Sequence, residues 1–403
     1  MDRGHPKARR SSVTVGINLW QLFAENLSQL KLDHLKSVLE KDSRSHYRKI
    51  IPLLLNIKDA EEQYFLKKCF ELNRKSSLRK ETIWKTNHVR LKAELDSKDS
   101  MSEMFLSALL EFVEARLQLI ELYQNCIIEN RFITNPSILK NKSEWAPELV
   151  ALNVSLSAEV DAINYLSLAV EAVDSWKFLD SLNRIQKLYE CLNRWNVSGS
   201  LQTESSSRSL LELFGSKRRS QSTLRTWFND ACCWILSKFT LFFLKNLRKN
   251  NPHRMPEDKQ EFKFINSMTS FCKSRASSVV NIIFKSGLGT SNCGNNYIIK
   301  KGNRMVKERF AVIASTDSTF EDSPKFKYYV ENCSECSDTN ILYNFNENQQ
   351  EAYYVLACDN RVSVCIIVST KRSDQDQTIM SWLVKFVSDL NGHHILNSLK
   401  PFK

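Results

Sequence analysis

The chain has 403 residues and a mass of 46.8 kDa, more than one small hydrophobic core usually organises, and it reads as two domains. Hydrophobic residues at 42% and charged residues at 25% exclude a wholly disordered, collagen-like or coiled-coil chain, and 9 Gly with 8 Pro are too few for a turn-rich β-sandwich or propeller. The formal net charge of +12 favours an acidic partner, whether nucleic acid, anionic membrane or protein.

Residues 1–16 carry Arg3, Lys7, Arg9 and Arg10 with no apolar run behind them, so they read as a disordered basic arm and not as a signal peptide. Residues 17–250 repeat apolar side chains at helical spacing and predict a bundle of about six helices. Helices are expected at Ile17 to Leu39, at Tyr47 to Asn73 with Pro52 tolerated only in a first turn, at Leu78 to Leu95 and at Phe105 to Ile128. The tract Glu148 to Asn196 lacks Gly and Pro and is one long helix or two broken near Asp174 to Asp180. Leu224 to Lys249 is apolar all round, as a buried helix is. Within the bundle, residues 198–223 are Ser-rich and hold Lys217, Arg218 and Arg219, which marks an exposed linker. Ser220 follows that basic run and is a candidate phosphorylation site.

Pro252 and Pro256 mark a boundary, and residues 259–403 form an α+β domain. Glu261 to Lys285 is expected to be helical and Ser286 to Asn303 to be a loop. Period-two runs then predict strands at Phe310 to Ala314, Phe326 to Val330, Ile341 to Phe345, Ala352 to Ala357 and Val362 to Val368, with a hairpin turn at Asp359 and Asn360. A last helix, capped by Ser373, carries Ile379, Leu383, Phe386 and Leu390 and ends at Gly392, with His393 and His394 at its close. The expected fold class is α+β: an N-terminal helical bundle, then a C-terminal α/β sandwich module with a mainly antiparallel sheet flanked by helices.

No catalytic constellation is present in the sequence. Cys333 and Cys336 form a C-x-x-C between two predicted strands, without the second ligand pair that structural zinc needs. Gly287, Gly289 and Gly294 follow a predicted helix and not a strand, so they do not form a phosphate cradle. No catalytic, metal or cofactor-binding residue is therefore nominated, and no cofactor is expected. Eleven Cys, an odd count without an export signal, read as reduced thiols of a cytoplasmic protein. The apolar run Trp234 to Leu244 is interrupted by Lys238 and is too short to span a bilayer. The densest positive stretch is Leu66 to Lys92, with nine basic residues against Glu71 and Glu81. Its Lys67, Lys68, Arg74, Lys75, Arg79 and Lys80 are the candidate partner-facing patch. The alternatives for it are a solvated helix face, a surface for an acidic protein or lipid headgroups, and, least favoured by the aromatics nearby, a nucleic-acid site.

Four groups of residues carry a family resemblance. Phe112 to Arg116 (FVEAR), Glu159 to Asp161 leading to Trp176 to Leu179 (WKFL), Lys238 to Phe243 (KFTLFF), and Val364 to Ile367 with Ser398 to Pro401 occur in the order found in the KICSTOR complex subunit 2 family. The resemblance runs from about Leu19 to Pro401 and departs in the segments Ser198 to Thr223 and Ser286 to Asn303, which are shorter here. It implies a non-enzymatic scaffold of a lysosome-associated assembly. That assembly holds the GATOR complex acting on Rag GTPases near its substrate, so that amino-acid or glucose shortage switches off the TOR kinase complex. The implied partners are the other KICSTOR-like subunits and, through them, GATOR. The implied location is the cytoplasm, with recruitment to the lysosomal membrane surface. The alternative function is a basic protein that binds nucleic acid or anionic membrane.

Overall fold

A computed structural model describes residues 19–29, 31–41, 51–65, 88–93, 103–134, 149–197, 223–243, 247, 263–275, 278–286, 295–301, 304–369 and 376–399. The first half is helical: α1 Leu19–Ser28, α2 Leu32–Lys41, α3 Ile51–Phe65, α4 Glu103–Glu129, α5 Val150–Asp174, α6 Phe178–Val197 and α7 Thr223–Phe242. Residues 88–93 are helical as well. The single helix expected from Ile17 to Leu39 is two, because the Lys31 N–H reaches back to the Asn26 carbonyl and opens the turn. Pro52 sits second in α3, where its missing N–H would have had no helical partner.

The Gly-free tract splits at Ser175 to Lys177. The Lys177 N–H bonds the Ala172 carbonyl and the Trp176 N–H bonds that of Val173, the two bonds of a Schellman turn, with Trp176 in the left-handed region at φ 60. A bulky residue there carries backbone strain of about 1–3 kcal/mol, offset by ring packing. The Trp176 ring stacks on Phe284 of the first strand at 4.7 Å and lies against Phe243 at 5.3 Å.

Among the described residues the second half holds six strands: β1 Ser278–Ser286, β2 Asn295–Lys301, β3 Arg304–Ser315, β4 Leu342–Asn346, β5 Glu351–Ala357 and β6 Val362–Val368. They form one sheet in the order β2-β3-β1-β6-β5-β4, with every neighbouring pair antiparallel. Helices α8 Lys263–Ser274, α9 Pro324–Asn332, α10 Gln377–Leu390 and α11 His393–Asn397 complete it. The class is α+β, as expected. β5 and β6 are buried along their whole length because both faces are covered. On one face Ile283, Cys365 and Ile367 pack with Phe326, Tyr329 and Val330 of α9. On the other, Val280, Ile282, Phe284, Val364 and Ile366 join Ile379, Leu383 and Phe386 of α10. That second cluster continues into the helical half through Trp227, Trp234 and Phe239, so both halves share a core. The boundary read at Pro252 to Pro256 lies outside the described residues.

The structure corrects several expectations. The helix expected from Glu261 to Lys285 ends at Ser274, and Val279 and Ile283 belong to β1. Phe326 to Val330 is not a strand: Pro324 opens α9 at its first position, and the buried residues Phe326, Tyr329 and Val330 follow helical spacing. The loop expected at Ser286 to Asn303 contains β2. The last helix is capped by Asp376, whose carboxylate accepts the Thr378 and Ile379 N–H groups, and not by Ser373. His393 and His394 open α11 after Gly392 instead of closing the preceding helix. Among the described residues no helix is long and apolar enough to cross a membrane.

Candidate interaction site: a buried ion network and the junction it supports

Arg116 lies on α4 between Val113 and Leu119, on the face that enters the core, and is 2% exposed. A guanidinium taken out of water needs each donor satisfied. Its Nε and Nη2 donate to Glu61 of α3 at 2.9 and 2.7 Å, a bidentate pair, and its Nη1 donates to Glu159 of α5 at 2.5 Å. The other Glu159 oxygen accepts the hydroxyls of Tyr64 and of Tyr123, the latter at 3.1 Å. His88 Nε2 stands 3.3 Å from Glu61 Oε1. The Tyr64 ring covers the guanidinium at 4.0 Å. Three helices distant in sequence are thereby fixed in one register.

Protonation follows from burial and charge. Burial opposes the Glu61 charge, but Arg116 and His88 beside it together outweigh that and hold its carboxyl below the ordinary 4.5. Burial, with the Glu159 charge, pushes the Tyr64 and Tyr123 hydroxyls well above 10. The two carboxylates hold Arg116 well above its ordinary range despite its burial. Burial pushes Arg225 on α7 down to about 10, with the Glu159 charge opposing the shift. Near neutral pH Glu61 stays ionised, Arg116 stays charged and the Tyr64 and Tyr123 hydroxyls stay neutral, so these groups tie the helices together through fixed charges and hydrogen bonds.

The junction between the halves is built of aromatic rings. Trp227 Nε1 donates to the Ile395 carbonyl of α11, and Trp234 Nε1 to the Asp389 carbonyl of α10, each at 2.9 Å. Phe178 stacks on Phe239 at 5.6 Å. Beside them a cleft of about 630 Å³ opens between the end of α4, the α5–α6 turn and the β5–β6 turn. On its wall the buried Lys238 ammonium pairs with Asp174 at 2.6 Å, and Asp359 accepts the backbone N–H groups of Arg361 and Val362. Burial raises the Asp359 carboxyl.

Lys67, Lys68, Arg74, Lys75, Arg79, Lys80 and Ser220 lie outside the described residues, as do Gly287, Gly289 and Gly294. Of the basic stretch, Lys92 is described and pairs with Glu114 at 2.7 Å. Cys333 caps α9, with Cys336 three residues on, so the pair follows a helix and not the strand expected there. Burial pushes the Cys333 thiol up to about 12, an unreactive thiol. Among the described residues no group of three or more His, Cys, Asp or Glu is placed to hold a metal ion. Purified protein is expected to contain no stoichiometric zinc by elemental analysis; zinc that disappears in Cys333→Ser would contradict this.

Sequence reading missed the network, since charged residues normally mark solvent-facing positions. A signal existed: Arg116 and Glu159 each interrupt an otherwise apolar stripe, and both stand in segments that carry the family resemblance. Trp176 and Lys238 also stand in such segments, the first packing on Phe243 and the second pairing with Asp174.

The chain is 21% identical to KICSTOR subunit 2 of Xenopus laevis over 97% of this chain and 98% of that protein. It is 19% identical to KICSTOR subunit 2 of Danio rerio over 63% of this chain and 59% of that protein. The profile of the KICSTOR complex C12orf66-like family matches residues 19–403, and the chain belongs to that family.

Proposed function

We propose that this protein is a non-enzymatic scaffold subunit of a KICSTOR-like assembly at the lysosomal surface. In this reading it helps recruit the GATOR complex that acts on Rag GTPases and so restrains TOR complex signalling when amino acids or glucose run short. The observation that carries it is the family match over residues 19–403, nearly the whole chain. The buried network is consistent with a scaffold of fixed shape, because it ties α3, α4 and α5 in one register.

Affinity purification of the full chain from fed and starved cells, read by mass spectrometry, tests it. The other KICSTOR-like subunits should co-purify in both states; their absence in both overturns the assignment. A second reading, binding to nucleic acid or anionic membrane, is favoured by the net charge of +12. Salt-sensitive binding of the isolated protein to RNA or anionic vesicles would separate the two.

Lys67, Lys68, Arg74, Lys75, Arg79 and Lys80 are assigned to steering an acidic partner, and Ser220 to phosphorylation that offsets the charge of Arg218 and Arg219. Joint replacement of Lys67, Lys68, Lys75 and Lys80 by Glu should weaken complex recovery and its salt dependence. Exposed charge changes typically alter stability by only about 0.5 kcal/mol each, so circular dichroism should be unchanged. Full recovery at every salt concentration would leave the basic face merely solvated. Phosphopeptide maps covering Ser220 should show occupancy in one nutrient state, and a site bare in both ends that assignment.

A further inference from the structure

β2 is an edge strand, and among the described residues no strand pairs with its outer side. Its pairing with β3 closes at Lys301↔Arg304, with two residues between them. A connection that short requires the closing residues to exchange both main-chain hydrogen bonds, and antiparallel pairs alternate from there. Lys301, Ile299, Tyr297 and Asn295 therefore face β3 with their main-chain groups, while Lys300, Ile298 and Asn296 turn theirs to the open side.

The strand is held from below and bare above. On one face Tyr297 packs edge-on against Phe310 and Phe326, at 6.0 and 5.6 Å. On the other, Ile298 and Met305 are diagonal neighbours across the hairpin, 65% and 68% exposed. Natural edges are usually blunted by charge, Pro or a bulge; of the three open positions only Lys300 brings a charge, and Asn296 and Ile298 bring none of these. The charge is one-sided. Lys300, Lys301, Arg304, Lys307 and Arg309 stand against Glu308 alone, and Glu308 is paired with Lys285 at 3.0 Å.

We propose that the open edge of β2 takes up an extended acidic segment of a partner protein as a seventh strand. Main-chain bonds from Asn296, Ile298 and Lys300 supply the pairing. An apolar side chain of the incoming strand covers Ile298, and its Asp or Glu side chains answer the basic hairpin. A second copy of the same strand would set like charges side by side, which disfavours self-pairing. The inference deepens the scaffold reading and rests on it for the identity of the partner as a subunit of the assembly.

A photo-reactive amino acid in place of Ile298, introduced into the full chain in cells, reads the occupant directly. The expected crosslink is to an Asp/Glu-rich extended segment of another KICSTOR-like subunit. Crosslinks to this chain itself, to nucleic acid, or to nothing overturn the proposal. In parallel, Ile298→Pro removes one outward N–H at a position where an edge strand tolerates proline. It should lower recovery of that subunit about tenfold, the loss of roughly one main-chain hydrogen bond. Melting should be unchanged, and Ile298→Val, which keeps the N–H, should behave as wild type. If wild type and Ile298→Pro recover the assembly equally, the edge proposal falls and the scaffold reading stands. If wild type recovers no such subunit while position 298 still crosslinks to an acidic segment of another protein, the scaffold reading falls and the edge stands.

Discussion

Glu159→Ala should lower the unfolding free energy by about 3–5 kcal/mol, because it breaks one of the two buried ion pairs of Arg116 and removes the acceptor of two buried tyrosine hydroxyls at once. Glu159 is fully buried and accepts from Arg116, Tyr64 and Tyr123. Removing one partner leaves the desolvation of the others uncompensated, and that penalty exceeds the net worth of the hydrogen bonds themselves. Arg131→Ala, at an exposed pair with Glu129, should change stability by less than about 1 kcal/mol. Urea unfolding of the three proteins reads both values, and equal midpoints for Glu159→Ala and wild type would show that the network is not holding the bundle.

The same network, together with the buried Cys365 thiol of the sheet core, sets a pH window. Glu61 has its folded carboxyl held below 4.5, so its stabilisation is present above that value and is lost as pH falls. Tyr64 and Tyr123, raised well above 10, and Cys365, raised well above 9, stay protonated in the folded chain after the unfolded chain has begun to ionise. Their contribution is complete below about pH 9 and falls as pH rises further. Stability should therefore be level between about pH 5 and 9 as far as these groups are concerned, and decline on both sides.

Gly392→Ala is the second large effect, about 2–5 kcal/mol. Gly392 has φ 76, a conformation that costs a side-chain-bearing residue about 1–3 kcal/mol, and it separates α10 from α11. A Cβ there would also stand 2.5 Å from Cζ2 of Trp234, and overpacking adds about 1–3 kcal/mol. The Trp234 ring cannot retreat freely, since its Nε1 is bonded to the Asp389 carbonyl. In a Trp234→Ala background the clash is gone, so Gly392→Ala should cost only its backbone share, a coupling of about 1 kcal/mol or more. Strictly additive losses would mean that the ring is not what the glycine makes room for.

The elements legible in the sequence are those whose pattern excludes alternatives. Val362 to Val368 is β-branched, continuous and bounded by a turn, and β6 occupies those residues. The helix read from Phe105 to Ile128 is α4 within two residues, because its stripe runs for about six turns. β1 was hidden because a strand buried on both faces has no alternation, and Val279 to Phe284 extends the apolar spacing of α8 without a break. α9 was misread for the converse reason: Phe326, Tyr328 and Val330 mimic period two, while the buried set that decides is Phe326, Tyr329 and Val330. Of the site, the resemblance segments pointed at Arg116, Glu159, Trp176 and Lys238 without saying why. Their partners, Glu61 above all, carry no local signal, since a carboxylate becomes a core residue only when a distant guanidinium folds against it.

Removal of the protein from its own cells, followed by the activity of the TOR complex during amino-acid or glucose withdrawal, tests the scaffold account most directly. If the protein is the restraint proposed, TOR substrate phosphorylation should stay high through starvation and fall again when the wild-type chain is restored. Phosphorylation that falls on schedule in cells lacking the protein would contradict the account, whatever partners co-purify with it.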